Sequence, residues 1–302
     1  MRAFAPGIYP RSEELVQATR DLDRGRTTQE AVDRQIAADL QQLVQAQQSA
    51  GLDLIADGML SWQDLFRPLV DQADGLERGA LTRFLDTNTF YRAPAAISAT
   101  PKLAAALGEE YVAPLPGPRL LTLPSPHALA HGTGVSPKTI AEHVLKPQLA
   151  ATDAELVVLS EPFLAGDGEE HLDPLEEALE KLAGGPPLAL QVTFSDARKL
   201  LEAGLAGLPV EGIGIDFYGT HLTDVPEGFD KLLLAGVVDA RNSVLEEPRE
   251  LAAFVERLRS ERGVEQIALT PNGDLQYVSQ QIAQEKLARL GKARTATTEA
   301  AA

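Results

Sequence analysis

The chain has 302 residues, 44% of them hydrophobic, with 44 acidic side chains against 27 basic ones and a formal net charge of −17. That length suits one large domain or two small ones, and the acidity, with no basic stripe, argues against nucleic acid as a partner and is read as a solubility feature. The absence of cysteine excludes disulfides, a thiol nucleophile, a zinc-thiolate site and cysteine-held iron–sulfur clusters.

In chain order, short apolar runs ending in Gly, Pro or polar residues predict strands. The first covers residues 2–6. Helices are predicted over 12–24, opening Ser-Glu-Glu after a proline, and over 28–51, with a capping residue and a Gly stop. A second strand spans 53–57. Residues 60–117 then break the rhythm. This stretch holds Trp62, the sole Trp, an aromatic run over 84–91 and several prolines, and is read as a long irregular insertion. Strands follow over 119–123, 156–160, 188–193, 212–217, 232–239 and 266–270, separated by helices over 137–151, 174–182, 195–204, 248–262 and 279–290. Residues 292–302 are small and polar and read as a frayed, disordered tail.

Strands that are apolar on both faces and alternate with helices predict a parallel sheet covered on both sides. Eight such units predict an α/β fold: a single (β/α)₈ (TIM) barrel over residues 1–291 with the irregular insertion between strands 2 and 3. The longest apolar runs fall far short of the roughly 18–20 residues of a membrane helix, and residues 1–7 carry no long apolar signal region. The expectation is a cytoplasmic protein that does not enter a membrane.

In such a barrel chemistry gathers where strands end. The strand ends here offer Asp57, Glu161, Asp216 and Asp239, which could pair as acid and base. They also offer Gln191, Thr193, Arg241, Asn242 and Asn272 as substrate contacts. Arg11, just past the first strand, and Trp62, Asp86, Asn88 and Tyr91 in the insertion complete the binding candidates. Each Asp, Thr or Asn could equally be a helix cap, and Trp62 could equally pack the insertion. An acidic cup could hold a cation such as Mg²⁺ through oxygen ligands. His127 and His131, spaced i and i+4, could form a metal pair. Pro126 and the Gly-rich end at 132–134 instead favour a loop, and no acidic residue is adjacent in sequence, so no metal ligand is assigned.

Several stretches in fixed order resemble the cobalamin-independent methionine synthase family. They are Gly-Ile-Tyr-Pro-Arg at 7–11, the helix and strand ending in Asp-Gly at 47–58, Leu-Ser-Glu-Pro at 159–162, Leu-Ala-Gly-Val-Val-Asp-Ala-Arg-Asn at 234–242 and Leu-Thr-Pro-Asn-Gly-Asp at 269–274. Together they run over roughly residues 5–290. The full-length enzymes of that family contain two related barrels. The stretches at 84–91, 208–217 and 241–242 look like the N-terminal barrel, which lacks zinc and helps hold the polyglutamate tail of the folate.

The resemblance implies a methyltransferase component of the 5-methyltetrahydrofolate-to-homocysteine reaction, with a folate- or thiol-type small-molecule ligand. Its departures matter as much. Where the family's zinc barrel has His-x-Cys, this chain has Gln191 and Thr193. The ligand Glu corresponds to Asp216, and the last Cys to Gly273. Gln and Thr are poor zinc ligands beside imidazole and thiolate. The homocysteine contacts are replaced as well, by Ile8, Met59 and Ser160. The expectation is no zinc cofactor of its own, a zinc-bearing partner subunit, and cations such as Arg11, Arg83 and Arg92 for an anionic tail. Two alternatives stand beside it: a metal-free barrel enzyme using the acidic strand ends, and a non-catalytic binding or regulatory barrel.

Overall fold

The structure, a computed structural model, describes residues 1–300, with side chains described through 297. The strands in chain order are β1 (Arg2–Ala3), β2 (Ile55–Ala56), β3 (Ala73–Asp74), β4 (Leu76–Arg83), β5 (Phe90–Ala96), β6 (Lys102–Leu103), β7 (Arg119–Pro124), β8 (Leu156–Glu161), β9 (Leu188–Val192), β10 (Gly212–Asp216), β11 (Leu232–Val238) and β12 (Ile267–Pro271). Eight of them form one parallel sheet in the order β1-β12-β11-β10-β9-β8-β7-β2. Its two ends meet at a narrow seam. The Asp53 N–H donates to the Ala3 carbonyl at 2.9 Å, and the Ala3 N–H donates to Asp53 Oδ2 at 2.7 Å. The sheet thus curls into the expected (β/α)₈ barrel.

β1 and β2 are two residues each, shorter than predicted. Pro6 has no N–H for a ladder, and Gly7 turns the chain at φ 88°. A Cβ on Gly7 would lie 2.1 Å from Asp274 Oδ1, so only glycine lets the backbone pass the end of β12 there.

Alternation along the strands sorts the barrel interior by height. Phe4, Leu54, Leu120, Leu156, Val158, Ala189, Leu234 and Ala268 belong to a compact apolar cluster. Two residues further along, the same strands carry buried Thr122, Ser160, Gln191 and Thr270. The interior is therefore apolar below and polar toward the C-terminal mouth. β10 and β11 place Gly214 and Gly236 at this level. A Cβ on Gly214 would lie 2.7 Å from Gln191 Cγ. The space left free lets Gln191 reach across and donate to the Pro271 carbonyl at 2.9 Å.

The helices pack their apolar faces on the outside of the sheet. Helix Gln29–Ala50 is pinned by a buried amide: Gln47 accepts from the Ala56 N–H at 3.0 Å and donates to the Ala56 carbonyl at 2.8 Å. The predicted helix at 137–151 is three helical pieces, Pro137–Ile140, a π-turn at Ala141–Leu145 and Lys146–Ala150. Pro147 has no N–H to give the carbonyl four residues back, which accounts for the widened turn.

Two expectations change. Residues 60–117 are irregular only in part. They hold helix Arg67–Gln72 and an antiparallel hairpin, β4–β5, with β3 and β6 paired at its base. Most of β4 faces solvent, so its sequence shows no apolar alternation from which a strand could be read. The chain from 292 onward is not a frayed tail either: helix Gln280–Ala300 runs through it, with Ala293 and Thr297 buried. Its small residues serve close approach, since a Cβ on Gly291 would lie 1.7 Å from the Ala50 carbonyl oxygen. Residues 301 and 302 of the predicted tail lie outside the described residues. Among the described residues no helix is long and apolar enough to cross a membrane.

Candidate functional site at the barrel mouth

The hairpin arches over the C-terminal mouth, and its tip is braced from within. The Phe84 N–H donates to the Thr89 carbonyl at 3.0 Å. The Arg83 guanidinium donates to the Thr87 and Asp86 carbonyls. Leu85 takes a left-handed conformation at φ 50°. This turn aims Asp86 at Arg241 beyond β11, where the two form an ion pair at 3.0 Å. The Arg241 guanidinium also lies over the Phe194 ring, 4.7 Å from its centroid, and Tyr277 meets the same ring edge-on at 5.5 Å.

Between tip and barrel lies a cleft of about 460 Å³ lined by Asp86, Thr87, Asn88, Thr89, Arg241, Gln276 and Tyr277. That volume falls within the range of small-molecule sites. A cleft of about 530 Å³ opens at the opposite face, beside Leu188, Glu211, Lys231 and Gln266 where strands begin. In this fold that end serves stability, so the mouth cleft is the better site despite its smaller volume.

Two buried acids sit beneath the cleft. Asp216 Oδ1 accepts from the Tyr218 N–H at 2.8 Å and the Asn272 amide at 3.1 Å. Asn272 in turn accepts from the Ala240 N–H at 2.9 Å. Burial pushes the Asp216 carboxyl above the usual carboxylate range, although those two donors and Arg241 pull it back. Asp274 accepts from the Ile8 N–H at 3.2 Å and from the cleft-lining Gln276 at 3.1 Å. Burial raises its carboxyl from 3.8 to about 6. The sequence pointed to Asn272 in this motif rather than to Asp274. The missing signal was the crossing of residues 7–8, which removes water from Asp274.

The structure brings Asp86, Asn88 and Arg241 together, with Asn272 and Asp216 below. It assigns other predicted residues to architecture. Glu161 is fully buried; Oε1 accepts from the Phe163 and Leu164 N–H groups at 2.9 Å, and Oε2 accepts from Ser125 Oγ. Its acceptor sites cap helix Leu164–Asp167 and pin the helix after β7, so it is no free acid or base. Asp239 closes its own turn, accepting from the Arg241 N–H at 3.0 Å and the Asn242 amide at 3.1 Å, while Asn242 accepts from the Val244 N–H.

Asp57 is 9% exposed and accepts from the Met59 and Ala113 N–H groups; burial raises its carboxyl above the usual range. Trp62 is not a ligand platform. It is 1% exposed and donates to the Tyr111 carbonyl at 2.8 Å, packing the insertion onto the barrel. Tyr91 is likewise buried, against Phe66, Phe84 and Phe163. Gln191 and Thr193 are buried inside the barrel. Arg11 lies away from the mouth cleft, in clefts beside helix Glu13–Asp23 and near Asp39.

The region after β7 also departs from expectation. Pro126–Ala130 is a helix, N-capped by Ser125, with His131 as its C-cap. Both His127 and His131 contact Asp167, contributed by the segment after β8. Sequence adjacency could not show an acidic partner 36 residues away.

A family profile described as "Cobalamin-independent synthase, N-terminal domain" matches residues 138–263. The 5-methyltetrahydropteroyltriglutamate–homocysteine methyltransferase of Mycobacterium tuberculosis (strain ATCC 25618 / H37Rv) is 29% identical over 284 residues, covering 79% of this chain and 37% of the relative. The protein of that name from Burkholderia thailandensis is 28% identical over 246 residues, covering 66% and 32%. The chain thus spans about a third of the length of these curated relatives.

Among solved structures, a B12-independent methionine synthase from Shewanella sp. W3-18-1, in complex with selenomethionine, superposes with a TM-score of 0.79 at 16% identity, covering 99% of this chain and 98% of that one. A putative vitamin-B12-independent methionine synthase from Listeria monocytogenes gives 0.70 at 14% identity, covering 98% and 97%. These two establish the barrel, and the profile and sequence matches make the chain similar to the cobalamin-independent methionine synthases.

Proposed function

We propose that this barrel is a methyltransferase component that holds a methylfolate-type ligand in the cleft between the hairpin tip and Arg241. Thiol activation by zinc is supplied by another, zinc-bearing subunit. The observation that carries the reading is the cleft of about 460 Å³. It combines a fixed guanidinium and a flanking aromatic ring with amide and hydroxyl groups from the tip. A flat heterocycle with an anionic extension matches that set. The aromatic edge offers apolar contact, and Arg241 offers a fork for a carboxylate.

The family's zinc does not fit the corresponding positions. Gln191 spends its amide N–H on Pro271, and Asp216 is engaged by Tyr218 and Asn272. Gly273 has no side chain to offer, and the Phe194 ring covers it: a Cβ there would meet Phe194 Cζ at 2.3 Å. Phe194 holds this place in a left-handed conformation at φ 55°. A free thiol of pKa about 8.5 entering this barrel would stay mostly protonated at neutral pH, so these residues do not supply a thiolate nucleophile.

Calorimetric titration of 5-methyltetrahydropteroyltriglutamate and of homocysteine into the full chain tests this. Saturable folate binding that weakens at least about 10-fold in Arg241→Ala is expected, with no homocysteine binding in the absence of a partner. Absence of folate binding overturns the reading. Asp274, raised to about 6 at the mouth, favours a second reading, in which a buried carboxyl exchanges protons near neutral pH in a metal-free reaction.

A further inference from the structure

We propose that His127, His131 and Asp167 form a binding site for a divalent transition-metal ion on the rim of the barrel, apart from the strand ends where relatives would place zinc. His127 Nε2 lies 2.8 Å from Asp167 Oδ2, and His131 Nδ1 lies 2.9 Å from the same oxygen. One ligand atom from each residue falls within 4.8 Å of the other two. The two imidazoles come from the short helix after β7 and its C-cap, and the carboxylate from the last residue of the helix after β8, so all three are set by the barrel's own β7–β8 neighbourhood.

The supporting structure is rigid. Ser125 accepts from the Ala128 N–H and donates to Glu161, which fixes the helix carrying His127. The other oxygen of Glu161 caps the helix that ends at Asp167. One buried carboxylate therefore positions both halves of the site. Phe163 stacks on His131, with ring centroids 4.4 Å apart, and excludes water from one side. The side chains of His131 and Asp167 are 38% and 24% exposed, which leaves a path for an ion from the other. His171 lies beside the site, its ring 5.0 Å from that of His127.

Two imidazoles and one carboxylate select a borderline cation such as Zn²⁺, Co²⁺ or Ni²⁺ over Ca²⁺ or Mg²⁺, which take oxygen ligands. Tetrahedral zinc with bonds of about 2.0–2.1 Å sets its ligand atoms roughly 3.3 Å apart. The observed 2.8 and 2.9 Å need to widen by about half an ångström, within reach of the half-exposed His131. Bound there, the ion ties the two rim segments together and, through Phe163, fixes the aromatic cluster of Phe66, Phe84 and Tyr91 beneath the hairpin tip.

The test is calorimetric titration of Zn²⁺ into the full chain after chelator treatment, repeated with Co²⁺ and read by its visible absorption. One equivalent is expected to bind, with the absorption of a four- or five-coordinate Co²⁺ site. His131→Ala and Asp167→Asn each remove a ligand at a partly exposed position and are expected to weaken binding by about 100-fold or more. Circular dichroism establishes that both variants remain folded. Absence of stoichiometric binding in the parent chain overturns the proposal, as does binding left unchanged in both variants. Because the readout is metal binding, it is independent of whether the mouth cleft takes a folate.

Discussion

Asp274→Asn isolates the energetic cost of the buried acid under the mouth. The carboxyl of Asp274 is raised from 3.8 to about 6, so the folded state holds its proton at pH values where the unfolded chain has lost it. The stability associated with this proton is fully present below about pH 4 and is lost as pH rises through about 6. The gap amounts to about 3 kcal/mol at pH 7, an upper bound on what neutralising the group can recover. Asparagine can still accept from the Ile8 N–H, but Gln276 must turn its amide to face the new N–H₂, which takes back part of the gain. Thermal unfolding of the variant and parent across about pH 4 to 8 reads the difference directly. The variant is expected to unfold roughly 2–5 °C higher at pH 7, with the advantage vanishing toward pH 4. Subtracting the parent removes the other titrating groups. A difference that stays flat across that range would refute the argument, because it would mean Asp274 ionises alike in both states.

Three further outcomes follow from the packing. Gln47→Ala is expected to cost about 2–4 kcal/mol in urea unfolding, since it strands both buried backbone groups of Ala56. Gly291→Ala is expected to destabilise by at least about 2 kcal/mol, because the new methyl meets the Ala50 carbonyl; an unchanged midpoint in urea would mean the two helices are not in contact. Arg241→Ala is expected to shift the unfolding midpoint by less than about 1 kcal/mol, since its pair with Asp86 is solvent-exposed.

The barrel was legible because its strands carry enough apolar residues on both faces to be read without partners. Strand ends at Asp57, Glu161, Asp216 and Asp239 were found the same way, but residue type could not tell a reactive acid from a structural one. Glu161 and Asp239 caught nearby N–H donors and became caps and pins. Asp274 gained its perturbed carboxyl from a crossing by residues 7–8, a contact 266 residues long in sequence. The hairpin escaped notice because a two-stranded ribbon in solvent needs no apolar period. The end of the last helix was misread because small residues signal both disorder and close packing, and only the presence of the Ala50 carbonyl decides between them.

The seam between β1 and β2 bears on how the chain reaches its fold during synthesis. Asp53 holds both ends of the sheet and also receives Arg294 at 2.7 Å. The clasp is therefore complete only once residue 294 has left the ribosome. Until then the nascent sheet has two bare margins, the kind of surface that recruits foreign strands. Chains cut short just before residue 294, though they keep all eight strands of the sheet, should accordingly be marked by aggregation and by chaperone dependence.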